Sequence, residues 1–342
     1  MAIESLPVSI SLFVIAVLVI AFAGTRMAKI ADRLADATGL GEAFVGALFL
    51  GGSTSLAGIV TSITAAANNH PELAVSNALG GIAAQTVFLG VADIAYRKAN
   101  LEHAAASAAT LMQATVLVTL LAIPLLAMAG PPVEVLGIHP ATLLIPVAYF
   151  FGLRLVSEAQ TRPMWSPRRT DKTRVDEPRI DETDHPKLAS LWLQFATLAV
   201  IIAIAGYSVG EAGVSISVHT GLSESLVGSL LTAICNSLPE LVTTVAAVRQ
   251  GALTLAVGGV IGGNSFDVLL LAFSDLAYRQ GSIYHALAGQ QVFVVALTIL
   301  MTGVLLLGLL RREKHGIGNI GFESALVLIL YLSGFSLLFL GS

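Results

Sequence analysis

Charge is what this sequence has least of. Asp, Glu, Lys and Arg make up 12% of its 342 residues, against 55% hydrophobic residues and a mean hydropathy of +0.83. A soluble domain carries about twice that share of charge, so a water-filled surface all round is excluded. Cysteine is nearly absent: Cys235 stands alone, which rules out an intrachain disulfide. No run alternates with the two-residue period of a barrel strand, which leaves a helical membrane bundle. The first apolar run has neither a basic leader nor a small-residue cleavage site and reads as a retained first helix. The spans hold no Ser/His pair or G-x-G-D-like pattern, so an intramembrane enzyme is not expected. His70, His103, His139, His219 and His285 fall in loops or at helix ends, and no pair has metal-ligand spacing. Neither a cofactor nor a nucleic-acid partner is expected.

What is present is a series of apolar runs, each about long enough to cross a bilayer. They lie near 6–24, 41–67, 72–95, 103–129, 139–157, 188–207, 222–248, 253–276, 285–310 and 321–340. With the N-terminus outside, 17 of the 18 Lys and Arg residues fall on the cytoplasmic side and only Arg279 falls outside. The positive-inside bias therefore predicts both termini outside and the central loop in the cytoplasm, in a prokaryotic cell (inner) membrane. That loop, 158–187, carries four prolines, seven basic and seven acidic residues and reads as a polar linker. It separates a first five-helix unit, 1–157, from a second, 188–342.

The two units repeat one another. When Thr38 is set on Thr220 and the chain is followed without gaps, 22 of the 60 positions from Thr38 to Arg97 are identical. The matches include Glu42 with Glu224, Gly80-Gly81 with Gly262-Gly263, and Asp93 with Asp275. Five is odd, so the second repeat is expected to cross the membrane in the opposite sense. Inverted repeats place a transporter's site between them, at broken helices. Breaks or kinks are expected near Ser55, Gly80, Ser237 and Gly262. Glu42 and Glu224, near helix starts, are read as seating helix ends at the interface.

Two carboxylates lie inside apolar runs: Glu240 in Cys235-Asn236-Ser237-Leu238-Pro239-Glu240, and Asp267 in Gly262-Gly263-Asn264-Ser265-Phe266-Asp267. Each costs on the order of 2.5–3.5 kcal/mol to place at mid-membrane, so each is expected to face a polar pathway or a ligand. Pairing with a neighbouring helix is the bland alternative. Small polar residues such as Asn236, Ser237 and Asn264 also serve as packing contacts between membrane helices.

At these residues the chain resembles the calcium/cation antiporter superfamily, which includes the sodium/calcium exchangers. That family carries a G-T-S-L-P-E-like motif and a G-S-N-x-x-[ND]-like motif in each of two α-repeats. The second repeat here reads C-N-S-L-P-E (235–240) and G-G-N-S-F-D (262–267); the first reads S-T-S-L-A-G (53–58) and G-G-I-A-A-Q (80–85) and is degenerate. The resemblance implies an all-α protein of ten transmembrane helices in two inverted five-helix repeats. It also implies that Glu240, Asp267, Ser237, Asn236, Ser55, Thr54, Gln85 and Asn264 surround a transported cation. Gly58 replaces the first-repeat glutamate, and Glu72 lies fourteen residues too late to substitute for it. The function implied is exchange of a cation, Ca2+ or another divalent, for Na+ or H+ by alternating access. Two carboxylates also suit two monovalent cations or two protons, because burial favours the neutral form of a carboxyl group. A monovalent cation/proton exchanger and a non-transporting cation sensor are the alternatives. The partners expected are inorganic cations and the lipid bilayer; the sequence carries nothing on oligomeric state.

Overall fold

The computed structural model describes residues 5–38, 51–96, 99–105, 107–168, 170, 188–314, 316 and 320–341. Among them the chain is helical throughout, apart from loops and one isolated bridge between Val135 and Ile138. The helices are α1 (Leu6–Val19), α2 (Thr25–Thr38), α3 (Leu56–Ala67), α4 (Pro71–Ala95), α5 (Leu101–Ala105), α6 (Ala108–Ala129), α7 (Pro140–Thr161) and α8 (Leu188–Thr220). They continue as α9 (Glu224–Leu226), α10 (Ala233–Asn236), α11 (Leu238–Gln250), α12 (Leu253–Asp267), α13 (Leu269–Ala277), α14 (Gln290–Arg311) and α15 (Phe322–Leu340). π-helical turns at Ile20–Gly24 and Val227–Thr232 join α1 to α2 and α9 to α10. Among the described residues, eight helical segments are long and apolar enough to span a membrane, and the bent pair Glu224–Asn236 plus Leu238–Gln250 makes a ninth. α3 is apolar but short, and residues 39–50 before it, with Glu42, lie outside the described residues. Most of the linker, 171–187, lies outside them too; α7 runs to Thr161, four residues into the segment read as linker.

Apolar side chains cover the bundle as well as filling its core, and polar ones gather within it. Leu18, Phe22, Leu193, Ile204 and Leu332 are more than 60% exposed, while Asn77, Gln85, Glu240, Asn264 and Asp267 are buried. Such a surface is matched to hydrocarbon, where backbone polar groups must be satisfied within helices. The centre is held by α4, 89% buried along its apolar length, and by α12–α13, 72% buried; α1 and α8 lie at the rim, 22% and 17% buried. α8 packs on α1 and α3, α14 on α6 and α15, and α4 on α3, α12 and the π-turn Val227–Thr232.

Two of the expected breaks occur and two do not. Ser55 and Ser237, repeat mates, interrupt their helices with nearly the same backbone conformation (φ −83°, ψ 2° and φ −94°, ψ 4°). The second break bends its span by 46°. By contrast, α4 runs unbroken through Gly80-Gly81 and α12 through Gly262-Gly263, its interruption coming at Val268 instead. Gly80 serves contact, not bending. A Cβ there would overlap the carbonyl oxygen and Cα of Ser229, so only a bare α-carbon lets α4 meet the π-turn this closely. The span expected at 188–207 continues to Thr220, because its outer turns are buried against neighbours at Val209, Ala212 and Ile216.

Matching hydrogen bonds appear at the offset of the sequence repeat. Asp93 accepts from the backbone N–H of Leu101 (2.7 Å) and of Gly321 (3.0 Å); Asp275 accepts from Ile283 (2.7 Å) and His139 (3.1 Å). His103 meets the Arg312 carbonyl at 2.6 Å, and His285 meets that of Gly130 at 3.3 Å. Each partner in one set stands at the repeat position of its counterpart in the other.

Candidate cation site

The two interrupted helices bring their polar residues to one small cavity. It is lined by Ser55, Gly58, Asn77, Gly81, Gln85, Asn236, Ser237, Glu240 and Asp267, with Ala78, Ala233 and Leu270 between them. Its free volume is about 10 Å³, room for about one water-sized particle. Asn77, Gly81 and Gln85 recur every fourth residue along α4 and so share one face of it. Glu240 is the third residue of α11, just past the break at Ser237 and next to Pro239. The π-turn of the first span makes room for that proline: a Cβ on Gly24 would overlap Pro239 Cγ.

The geometry at Asp267 is a crossed pair of repeat mates. Ser55 Oγ donates to Asp267 Oδ1, and Gln85 Nε2 donates to Asp267 Oδ2 at 2.7 Å and to Ser237 Oγ at 3.3 Å. Ser55 matches Ser237 and Gln85 matches Asp267 in the sequence repeat, so each of these bonds joins one repeat to the other. A second network fills the space beside Gly58. Asn77 Oδ1 accepts from Thr232 Oγ1 (2.8 Å) and Asn236 Nδ2 (2.9 Å), while Asn77 Nδ2 donates to Ser62 Oγ (2.9 Å) and the Gly58 carbonyl (3.3 Å). Asn236 also reaches Thr61 Oγ1 at 3.2 Å.

Three cavity-lining residues keep a buried oxygen without a donor among the described residues: Glu240 Oε2, Gln85 Oε1 and Asn236 Oδ1. Buried acceptors are rarely left so, and an unaccounted cation is one explanation. The charges there are those of Glu240 and Asp267, close enough to repel one another, with no Lys or Arg in the lining. No group of three His, Cys, Asp or Glu among the described residues is arranged to hold a metal ion, so hydroxyl and amide oxygens would have to complete any shell here.

Of the residues expected at the site, Glu240, Asp267, Ser237, Asn236, Ser55 and Gln85 line the cavity. Thr54 stands behind them, bonded to Glu240 and to the Gly51 carbonyl (3.2 Å). Asn264 is fully buried but lies outside the lining and donates to Thr86 Oγ1 at 3.1 Å. Thr61, Ser62 and Thr232 complete the polar cluster without having been assigned to it, and Asn77, weighed like Gln85 between ligand and packing contact, joins them. Asn77 lies two four-residue steps before Gln85, which carried that signal for it; for the hydroxyls only the packing does. Glu72 is indeed elsewhere, accepting from Ser225 Oγ at 3.1 Å.

Comparison with known proteins settles the kinship. The profile of the family described as "Sodium/calcium exchanger protein" matches residues 8–153 and 190–341. The chain belongs to that family. Its members are membrane transporters and not enzymes, and their ligands are transported cations. Inner membrane protein YrbG of Escherichia coli (strain K12) is 25% identical over 328 residues, 94% of this chain and 97% of that one. Other relatives match locally. Sodium/calcium exchanger MaX1 of Methanosarcina acetivorans is 30% identical over 134 residues, 39% of this chain and 38% of its own length. CaxA of Alkalimonas amylolytica is 36% identical over 126 residues, 36% of this chain and 39% of its own length. The fold matches a crystal structure of the H+/Ca2+ exchanger CAX with a TM-score of 0.70 at 15% identity, covering 95% of this chain and 81% of that one. It matches the sodium-calcium exchanger NCX_Mj with a TM-score of 0.60 at 16% identity, covering 97% and 99%. This family member is therefore an integral membrane protein with the exchanger fold.

Proposed function

We propose that this exchanger-family protein is a secondary active antiporter that carries Ca2+ or another divalent cation across the membrane in exchange for H+ or Na+. One observation carries the reading. Two like-charged carboxylates and three donor-free oxygens converge on a cavity the size of one dehydrated ion, with no basic side chain in its lining. Glu240 and Asp267 supply two negative charges, which neutralise one divalent ion; Gln85, Asn236, Ser55 and Ser237 supply neutral oxygens. Gln85 would turn its carbonyl oxygen toward the ion in place of the amide it now gives Asp267. Asn77 and the hydroxyls around it hold Asn236 in place.

Alternating access is supported by the crossed arrangement at Asp267 and by the matched hydrogen bonds of Asp93 and Asp275. Both favour two five-span units, 1–157 and 188–342, related by a twofold rotation about an axis lying in the membrane plane. Counting residues 51–67 as one span and Glu224–Gln250 as another gives ten. Rocking of one unit against the other would expose the cavity to each side in turn. The charge distribution favours both termini outside and the linker in the cytoplasm.

The second reading, a monovalent cation/proton exchanger, is favoured by Gly58. Where the resemblance places a further carboxylate, the amide of Asn77 lies 3.9 Å from the position of a Gly58 Cβ, so neutral groups occupy the space. Reconstitution into proteoliposomes, with Ca2+, Na+, K+ and H+ gradients applied one at a time, separates the readings. Calcium uptake driven by a proton or sodium gradient supports the first. Potassium or sodium movement against protons with no calcium flux supports the second. Binding without flux under any gradient leaves a sensor.

A further inference from the structure

A second group of buried carboxyls lies away from the cavity, at the end of the bundle opposite His70. There the last turn of α4, the short helix α5, the turn after α14 and the start of α15 meet. Asp93 of α4 is engaged by the N–H groups of Leu101 and Gly321. Glu102 of α5 and Glu323 of α15 are each 1% exposed and within hydrogen-bonding reach of one another. Neither oxygen of Glu102, nor Oε2 of Glu323, has a hydrogen-bond donor among the described residues.

Two carboxyl groups in that position cannot both be ionised. Like charges at hydrogen-bond distance and away from water force one to keep its proton, and a shared proton turns two acceptors into a donor and an acceptor. Burial, with the charges of Asp93 and Glu323 adding to it, holds the Glu102 carboxyl well above the usual range. Among the described residues, Glu313 also acts on Glu323, and the other charged groups on these elements are His103, Arg311, Arg312 and Lys314, whose carbonyl accepts from the Asn100 N–H. Arg311 lies over the Phe322 ring and reaches Glu313; Arg312 donates to the carbonyls of Arg168 and His103; His103 contacts the Arg312 carbonyl and Thr170 Oγ1. α12, which packs on α5, presents no ionisable side chain before Asp267. No group of acids among the described residues is arranged for a metal ion, so the ligand that fits is a proton.

The opposite end of the molecule provides an internal control. Asp275 there organises Ile283 and His139, and Thr142 besides, as Asp93 organises Leu101 and Gly321. At the repeat positions matching Glu102 and Glu323 stand Tyr284 and Ala141. The scaffold thus forms without either acid, and the two glutamates are an addition at one end only.

We propose that Glu102 and Glu323 form a proton-binding site, one proton shared between their carboxyl groups, whose occupancy sets the response of transport to pH at that end of the protein. With the proton bound, α5 and α15 are held against the end of α4. Losing it leaves three buried like charges, Asp93, Glu102 and Glu323, which drive these helices apart. α4 carries Asn77 and Gln85, and α12, against which α5 packs, carries Asp267, so both sides of the cavity feel the change. The regulatory half of the proposal rests on the antiport reading; the proton site itself does not.

The test uses the full-length protein and two readouts. Infrared difference spectra over a pH series report protonated carboxyl groups directly. Glu102→Gln is expected to remove one such signal, and so is the double change Glu102→Tyr with Glu323→Ala, which copies the opposite end and should fold. In proteoliposomes, both variants should flatten the pH dependence of the initial rate at one membrane face, by at least tenfold over the range where the wild type responds, and leave the other face unchanged. An infrared spectrum unaltered by both variants overturns the site. So does calcium binding measured by calorimetry that falls by one equivalent in Glu102→Gln, since that would make it a metal site. A lost infrared signal with an unaltered pH profile in an active transporter overturns the regulatory role.

Discussion

Gly58 shows how much one missing side chain decides. A glutamate there would bring a third negative charge to the cavity, but the cavity has room for about one water-sized particle, and a Cβ would already meet Leu270 Cδ2 at 3.4 Å. Gly58→Glu alone is therefore expected to cost about 1–3 kcal/mol in stability through overpacking. Gly58→Glu with Asn77→Ala opens space and should raise divalent affinity above that of Asn77→Ala alone, as read by calcium calorimetry in detergent. Glu240→Gln makes the opposite change at nearly constant volume, removing half of the site's charge. It should leave the protein folded by size-exclusion profile and reduce cation flux at least tenfold. Wild-type flux in that variant would move the site elsewhere.

At the scale of elements, the glycine pairs and the helix turns make separable predictions. Gly80→Ala should push α4 off the Val227–Thr232 turn, because its methyl would overlap the Ser229 backbone. A loss of about 1–3 kcal/mol and of transport is expected. Its repeat mate changes little by the same logic: at Gly262→Ala the nearest atom is Gln113 Nε2 at 3.6 Å, and thermal stability should hold. The turn between α3 and α4 is tied to α9 by His70 Nδ1 and Glu224 Oε1, 2.6 Å apart. That hydrogen bond is the main reason the His70 pKa is raised above 6.5, the charges of Glu224 and Glu211 adding to it against the effect of burial. A raised folded-state value means the contact stabilises fully below the unfolded value and is lost as pH rises through the folded one. Melting temperature should accordingly fall as pH is raised from below 6.5, and His70→Ala should flatten the decline. Both groups are about a quarter exposed, so the effect belongs with surface pairs, up to about 1 kcal/mol.

For the whole molecule the count of charges governs how transport responds to voltage. On the proposed antiport reading, a site of charge −2 would cross with the same net charge whether loaded with one Ca2+ or with two protons. Moving one uncompensated charge through 100 mV would be worth about 2.3 kcal/mol. Transport should therefore vary little under a clamped potential. Steep voltage dependence with three sodium ions moved per calcium would contradict the two-carboxylate count.

Burial without charge compensation made the centre of this protein legible in one dimension. Glu240 and Asp267 stand out because a carboxylate among apolar residues needs a ligand. The repeat stands out because polar identities such as Glu42 with Glu224 and Asp93 with Asp275 seldom coincide by chance at one offset. The helical class and the membrane setting follow from hydropathy, Glu240 and Asp267 from their buried charge, and the other cavity candidates from the family resemblance that the motifs carry. What the tertiary structure alone decided is how close the backbones come. Gly80-Gly81 and Gly262-Gly263 look like helix breakers in sequence, yet α4 and α12 pass straight through them. A glycine's meaning depends on the neighbour it admits, and at Gly80 that neighbour is the Ser229 backbone. Thr61, Ser62 and Thr232 join the polar cluster, and Asn264 turns to Thr86, for the same reason. Glu102 and Glu323 belong to different repeats and carry no motif, so only the fold could set their carboxyls side by side. Hydropathy and repeat identity are summed along the chain, whereas hydrogen bonds and close approaches form across it.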